Sequence, residues 1–172
     1  MLKDRTKGEQ RVTFLELFFD LAFVLVITQL SQLLLNNLTP RGAAEALFLL
    51  VAIWVAWVYT TWWTNAFDPD TVPVRLVLLV LMLAGMMMAL AIPRAWGSRA
   101  LLFALAYVGL HLVRNGFSVV AARRLGADRN LQNSLLRLLT WSIATGALWI
   151  AGAIAGGRTL VVLWIEIGRA HV

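Results

Sequence analysis

The sequence predicts an all-α fold, a polytopic bundle of membrane-spanning helices with five complete spans and the start of a sixth. Hydrophobic residues make up 60% of its 172 residues and charged residues only 14%, compared with roughly 25% charged residues in a soluble domain. The mean hydropathy is +0.78. The apolar residues are also gathered into blocks of about 20 residues, the length that crosses a bilayer as a helix. These two observations predict an integral membrane protein.

Five apolar blocks are long enough to span a bilayer, and short joints that carry charged residues or Pro and Gly separate them. Backbone groups in hydrocarbon must be satisfied within the protein, and barrel strands would be only about ten residues long, so these lengths favour helices. Thr39 and Pro40 are typical of a helix start, and Asp68-Pro69-Asp70 is typical of a turn. We therefore predict spans at 14–35, 43–64, 74–92, 100–122 and 135–155, with a truncated sixth span at 159–165.

The last seven residues do not continue the sixth block. Glu166 to Val172 resemble the translation of a short-read sequencing adapter joined in frame. We therefore expect residues 1–165 to be an incomplete transmembrane domain and 166–172 to be an artefact of sequencing.

Basic residues predict the orientation of the bundle, because cytoplasmic loops carry an excess of Lys and Arg. With the N-terminus in the cytoplasm, nine basic residues lie in cytoplasmic joints and four in outer joints. They are spread over the joints and form no stripe, so the net charge of +6 does not indicate nucleic-acid binding. The sequence predicts a multi-pass membrane protein, with the N-terminus cytoplasmic and the lipid bilayer as its surroundings.

Two spans contain ionisable residues, which inside a membrane usually face a partner or a watery cavity. Glu16 and Asp20 are one turn apart in the first span, and His111 and Arg114 are three residues apart in the fourth. At a rise of 1.5 Å per residue, Asp20 and Arg114 both lie roughly 13 Å from the cytoplasmic edge. We therefore predict that Asp20, with Glu16, pairs with Arg114 and His111, which requires the first and fourth helices to pack together.

Two interpretations of this polar cluster stay open. In the first, the cluster lines a path for a small solute or ion, because two acids against one fixed cation leave a titratable carboxylate, or it senses the membrane. In the second, a buried ion pair only fixes the packing of the helices. Glu16 also lies close enough to the cytoplasmic edge to reach the lipid headgroups. The predicted site consists of Glu16, Asp20, His111, Arg114 and Asn115, with Trp57, Tyr107 and Ser118 as further lining residues.

No pattern in the sequence predicts an enzyme. It has no Gly-rich phosphate loop, no Ser or Cys nucleophile with a nearby base and no zinc-binding pattern of His and Glu. Cysteine is absent, and His111 has no second histidine at the spacing of metal ligands. We expect no catalytic residues, no metal and no cofactor.

The first span and the joints resemble the bacterial low temperature requirement protein A family. The likeness begins at Thr-Phe-Leu-Glu-Leu-Phe-Phe-Asp, which ends at Asp20, and continues through later motifs, so it covers most of the chain. It implies a longer polytopic protein of the bacterial inner membrane with further helices, linked to growth in the cold and to stress adaptation, without a defined reaction. The motifs lie at 12–23, 27–30, 38–42, 57–62 and 65–70.

A second likeness covers one helix only. Arg11, Phe19-Asp20 and Ile27-Thr28 are similar in layout to the first helix of a potassium channel family. That family has a serine directly before the aspartate, where this chain has Phe19. A cation channel-like protein is therefore a further alternative.

Overall fold

The computed structural model describes residues 14–68 and 71–156, with side chains described from Leu17 onward. Within those residues the chain forms an all-α bundle, and five of its helices are long and apolar enough to cross a membrane. The fold class predicted from the sequence is confirmed. The predicted sixth span and residues 166–172 lie outside the described residues. The helices are α1 (Phe14–Leu35), α2 (Pro40–Ala66), α3 (Val72–Ala91), α4 (Ala100–Arg124) and α5 (Arg129–Ala155), with a 3₁₀ turn at Ile92–Arg94 after α3.

Two helices begin earlier than the apolar blocks, because a polar residue caps each of them. The Thr39 hydroxyl accepts a hydrogen bond from the Gly42 amide, so α2 begins at Pro40. The Asp128 carboxylate accepts one from the Leu131 amide at 2.7 Å, so α5 begins six residues before its predicted apolar start. Hydropathy marks the lipid-embedded part of a helix, whereas the cap sets its beginning.

The packing order of the helices places α3 between α1 and α4. Helix α1 packs against α2 and α3, α3 packs against α4, and α4 packs against α5 and, over a smaller area, against α2. Helices α1 and α4 do not form one of the bundle's extensive interfaces. The predicted packing of the first helix on the fourth is therefore wrong.

The core is apolar and continuous across the five helices. Phe19 and Phe23 of α1 pack there with Leu49 of α2, Phe103 of α4 and Trp149 of α5. Many large apolar side chains remain exposed on the outer faces, for example Ile154, with 71% of its surface accessible. An apolar exterior is what a bilayer requires of its lipid-facing surface.

Two neighbouring tryptophans of α2 have different surroundings. Trp62 and Trp63 together are typical of an interfacial belt, and Trp62 is indeed exposed. Trp63 is buried, however, and its ring contacts Phe67 and Phe117. Because the two residues are 100° apart on the helix, only one of them faces the lipid.

Candidate functional site

A cleft of about 400 Å³ lies between α2, α4 and α5. Its volume falls within the roughly 300–1,000 Å³ of small-molecule sites. Helix α4 supplies Tyr107, His111, Arg114 and Asn115 to its wall, which are four of the residues predicted from the sequence. The other lining residues are Phe48, Val51, Ala52, Val55 and Tyr59 of α2, Val108 of α4, and Leu138, Trp141, Ser142, Thr145, Gly146 and Trp149 of α5.

Arg114 is the charged group of this cleft, and only 3% of its surface is exposed. One terminal nitrogen, Nη1, donates to the Thr60 hydroxyl at 3.2 Å and to the Ala56 carbonyl at 3.5 Å. The other, Nη2, contacts His111 Nδ1 at 2.8 Å, and Nε donates to Asn115 Oδ1 at 3.3 Å. All four partners are electrically neutral acceptors.

The donor count of Arg114 leaves room for another acceptor. A guanidinium carries five N–H groups and accepts nothing. Four of them are used by the partners above, and the fifth, on Nη2, has no acceptor among the described residues. No described carboxylate lies within ion-pair distance of Arg114 either. The cleft therefore contains a buried cation whose charge is not neutralised by the described part of the chain.

The contact between Arg114 and His111 fixes the protonation of the imidazole. Because a guanidinium only donates, Nδ1 of His111 must accept, and the ring is then neutral with its hydrogen on Nε2. The His111 ring lies edge-on to Tyr107, with centroids 4.6 Å apart. The guanidinium carbon of Arg114 also lies 5.4 Å from the centre of the Tyr59 ring, a distance that gives a cation–π attraction. Neutral and aromatic groups thus surround the cation.

A short chain of hydrogen bonds connects Arg114 to α5. Asn115 accepts from Arg114 and donates through Nδ2 to the Ser142 hydroxyl at 2.7 Å. Ser142 in turn donates to the Leu138 carbonyl at 2.8 Å. These hydrogen bonds orient the amide of Asn115 and hold α4 and α5 in register at the polar part of the cleft.

The cleft residues that α2 and α5 supply were not predicted from the sequence. Ser142, Thr145 and Gly146 follow an i, i+3, i+4 spacing, which places them on one helical face. This shared face of small and polar residues could have indicated from the sequence that α5 turns it toward a polar site. Thr60 of α2, whose hydroxyl accepts a hydrogen bond from Arg114, was also not predicted.

Asp20 lies elsewhere, and the predicted pair with Arg114 is not formed between these two described residues. The Asp20 carboxylate is exposed and accepts a hydrogen bond from the Trp57 indole nitrogen at 3.0 Å. The pairing prediction is wrong because equal depth does not make two helices neighbours. The Glu16 side chain lies outside the described residues.

Two predicted lining residues belong to other contacts. Trp57 is partnered with Asp20 on the α1 side of α2 and is not part of the cleft wall. Ser118 is buried, where it accepts from the Trp63 indole nitrogen at 3.1 Å and donates to the Arg114 carbonyl at 3.0 Å. Ser118 therefore connects α2 to α4 outside the cleft wall.

The separation of Asp20 from Arg114 makes a measurable prediction. We expect the Asp20→Asn and Arg114→Met substitutions to change the free energy of unfolding additively, within about 0.5 kcal/mol, because the two side chains share no partner. Asparagine retains an oxygen that can accept from Trp57. The check is a double-mutant cycle followed by unfolding in detergent, and a coupling well above 1 kcal/mol would reveal a direct charge pair.

Comparisons with known proteins place the chain in a family. A sequence model of the bacterial low temperature requirement A protein (LtrA) matches residues 11–167, which is most of the chain. The chain belongs to the LtrA family. It is 37% identical over 164 residues to an uncharacterized protein of Rhizobium meliloti (strain 1021), covering 95% of this chain. No solved structure shows a significant match.

The chain spans about 40% of the length of that LtrA relative. The resemblance predicted from the motifs around Asp20 is confirmed by the family match, together with the membrane character of the protein. Among the described residues of this LtrA member, no group of three or more His, Cys, Asp or Glu side chains could hold a metal ion.

Proposed function

We propose that this LtrA chain forms a small-solute binding site inside the bacterial inner membrane, through which the protein moves or senses that solute. The observation that carries the proposal is Arg114, a buried cation in the wall of a 400 Å³ cleft, with no carboxylate partner among the described side chains. An ionisable group inside a span is costly and usually serves a function or has a partner. The proposal concerns binding and passage, without bond chemistry.

The proposed orientation follows the distribution of basic residues, with the N-terminus in the cytoplasm. Helix α4 ends in Arg123 and Arg124, and α5 begins at Arg129, so their joint would be cytoplasmic under the positive-inside rule. Arg114 lies in the half of α4 nearer this joint. The solute would therefore meet the guanidinium on the cytoplasmic side of the membrane centre.

The family name gives the proposal a physiological setting. LtrA members are described by a requirement at low temperature, and we place stress adaptation among the processes that such a solute site would serve. Since the chain matches only part of its longer relative, the remaining part of such a protein would contribute to the activity of the whole.

The competing function is structural. Three connections join α2, α4 and α5: the bond from Arg114 to Thr60, the bond from Trp63 to Ser118, and the bond from Asn115 to Ser142. Such a network could hold the helices in place without any solute. The two functions differ in whether water and small molecules enter the cleft.

Cysteine accessibility distinguishes the two functions, because the chain has no cysteine of its own. Val55 lies in the cleft wall at the middle of α2, and Val80 is exposed on α3 at a similar distance from its helix ends. We expect a hydrophilic maleimide to label Val55→Cys in phosphatidylcholine vesicles at least tenfold faster than Val80→Cys, because a thiolate needs water to form and react. Equal, slow labelling of both would support the structural function.

A further inference from the structure

The lining of the cleft differs between its two ends. Helices α4 and α5 are antiparallel and joined at 125–128. Arg114, Asn115 and Ser142 lie toward this joint together with the apolar Leu138 and Trp141, and His111 lies near the middle of the cleft. The opposite side is formed mainly by apolar and aromatic groups.

The apolar end is built around Trp149. Its ring centroid lies 5.6 Å from that of Phe48 and 4.7 Å from that of Tyr107. Val108 and Gly146 complete this end, where the Val108 side chain packs directly against Gly146. A ligand that occupies both ends therefore needs an apolar body and one strongly polar group.

The polar end determines the sign of that group. Arg114 offers a positive charge and one N–H without an acceptor among the described residues, and no described carboxylate faces it. Asn115 is already oriented by Arg114 and Ser142. A cationic ligand would meet a buried like charge there, whereas an anion would neutralise it and accept a charge-assisted hydrogen bond.

We infer that the cleft binds an amphiphilic anion, with a carboxylate or phosphate group at Arg114 and an apolar body between Phe48, Val108 and Trp149. The inference rests on the proposed solute site and names the chemical class of its ligand. Carboxylate and phosphate both suit a guanidinium, since each presents several acceptor oxygens. The anion is either a free amphiphile or the headgroup of an anionic lipid, which share this chemistry.

The test compares three probes of equal chain length on the Val55→Cys protein in phosphatidylcholine vesicles. Octanoate, 1-octanol and octylammonium differ chiefly in the charge of one group, and Val55 lies in the cleft wall. We expect octanoate to slow maleimide labelling at concentrations at least tenfold lower than 1-octanol, and octylammonium to protect least. Val80→Cys, on the exposed face of α3, reports any general effect of the probes on the membrane.

Vesicles that contain phosphatidylglycerol distinguish the two sources of the anion. Slow labelling there without octanoate would assign the site to a lipid headgroup, and protection that requires octanoate in both vesicles would assign it to a free anion. Either result supports the inference. Protection that is equal for octanoate and 1-octanol, strongest for octylammonium, or absent for all probes would overturn it.

A substitution of Arg114 tests whether this residue causes the preference for octanoate over 1-octanol. Arg114→Gln is expected to lose the preference for octanoate over 1-octanol, and an unchanged preference would contradict the assignment to Arg114. If this variant fails to fold, the comparison of probes on the Arg114 protein still decides the inference. Fast labelling of Val55→Cys without selective protection would refute only the inference that the ligand is an anion. Labelling no faster than that of Val80→Cys would refute the solute site itself.

Discussion

Arg114→Met is expected to leave the bundle folded and to abolish selective binding of the anion. A charge inside a span costs about 2.5–3.5 kcal/mol at the helix centre. The four hydrogen bonds of Arg114 have a charged donor and contribute about 1.5–3 kcal/mol each. Together they outweigh the cost of the charge, so a methionine of similar length should lower the free energy of unfolding by a few kcal/mol.

The loss of selective binding is the result that distinguishes the solute site from a purely structural role, because both roles predict some loss of stability. Without the guanidinium, octanoate loses its counter-charge and should protect the cleft no better than 1-octanol does. The measurements are the unfolding temperature in detergent and the protection of Val55→Cys in the same variant. Arg41→Met is the matched control, because Arg41 is exposed and pairs with Glu45 away from the cleft. A loss of stability with selective binding intact would favour the structural function.

Gly146→Leu is expected to destabilise the bundle by about 1–3 kcal/mol, the usual cost of overpacking. A Cβ atom at Gly146 would lie 2.7 Å from Val108 Cγ1, so α4 and α5 approach each other most closely there. Leucine would force the helices apart and also fill the apolar end of the cleft. The check is the unfolding temperature in detergent, together with the labelling of Val55→Cys, which should slow.

The control for this substitution lies on α4. An ideal Cβ at Gly116 meets no atom within 4 Å, so Gly116→Leu should be tolerated. A second control tests the contact itself. Gly146→Ala should be destabilising alone and should recover stability when combined with Val108→Ala, because the smaller side chain removes the close contact. If Gly146→Leu and Gly116→Leu behaved alike, the close approach of α4 and α5 would be refuted.

The depth of the charged residues could be predicted from the sequence, but their neighbours could not. A helix rises by 1.5 Å per residue, so the heights of Asp20 and Arg114 follow from counting. Which helices touch is decided by side-chain packing around the whole bundle. Here α3 lies between α1 and α4, which leaves Asp20 to bond with Trp57 and Arg114 to bond with Thr60.

The spans themselves were predictable because the bilayer fixes their length. The helix starts were less predictable, because the cap at Asp128 extends α5 through polar residues that lie outside the apolar block. Only part of the cleft lining could be predicted from the sequence. Arg114 and His111 are conspicuous as ionisable residues in an apolar span, whereas Ser142 and Gly146 become informative only once α5 is known to pack against α4.

The central claim is that water and small solutes enter the cleft beside Arg114. The most direct measurement is the ratio of maleimide labelling rates at Val55→Cys and Val80→Cys in phosphatidylcholine vesicles, which contain no anionic lipid to occupy the cleft. The cleft predicts a ratio of at least ten, which octanoate lowers toward one. A ratio near one without any ligand would show that the cleft is closed to water and would contradict the claim.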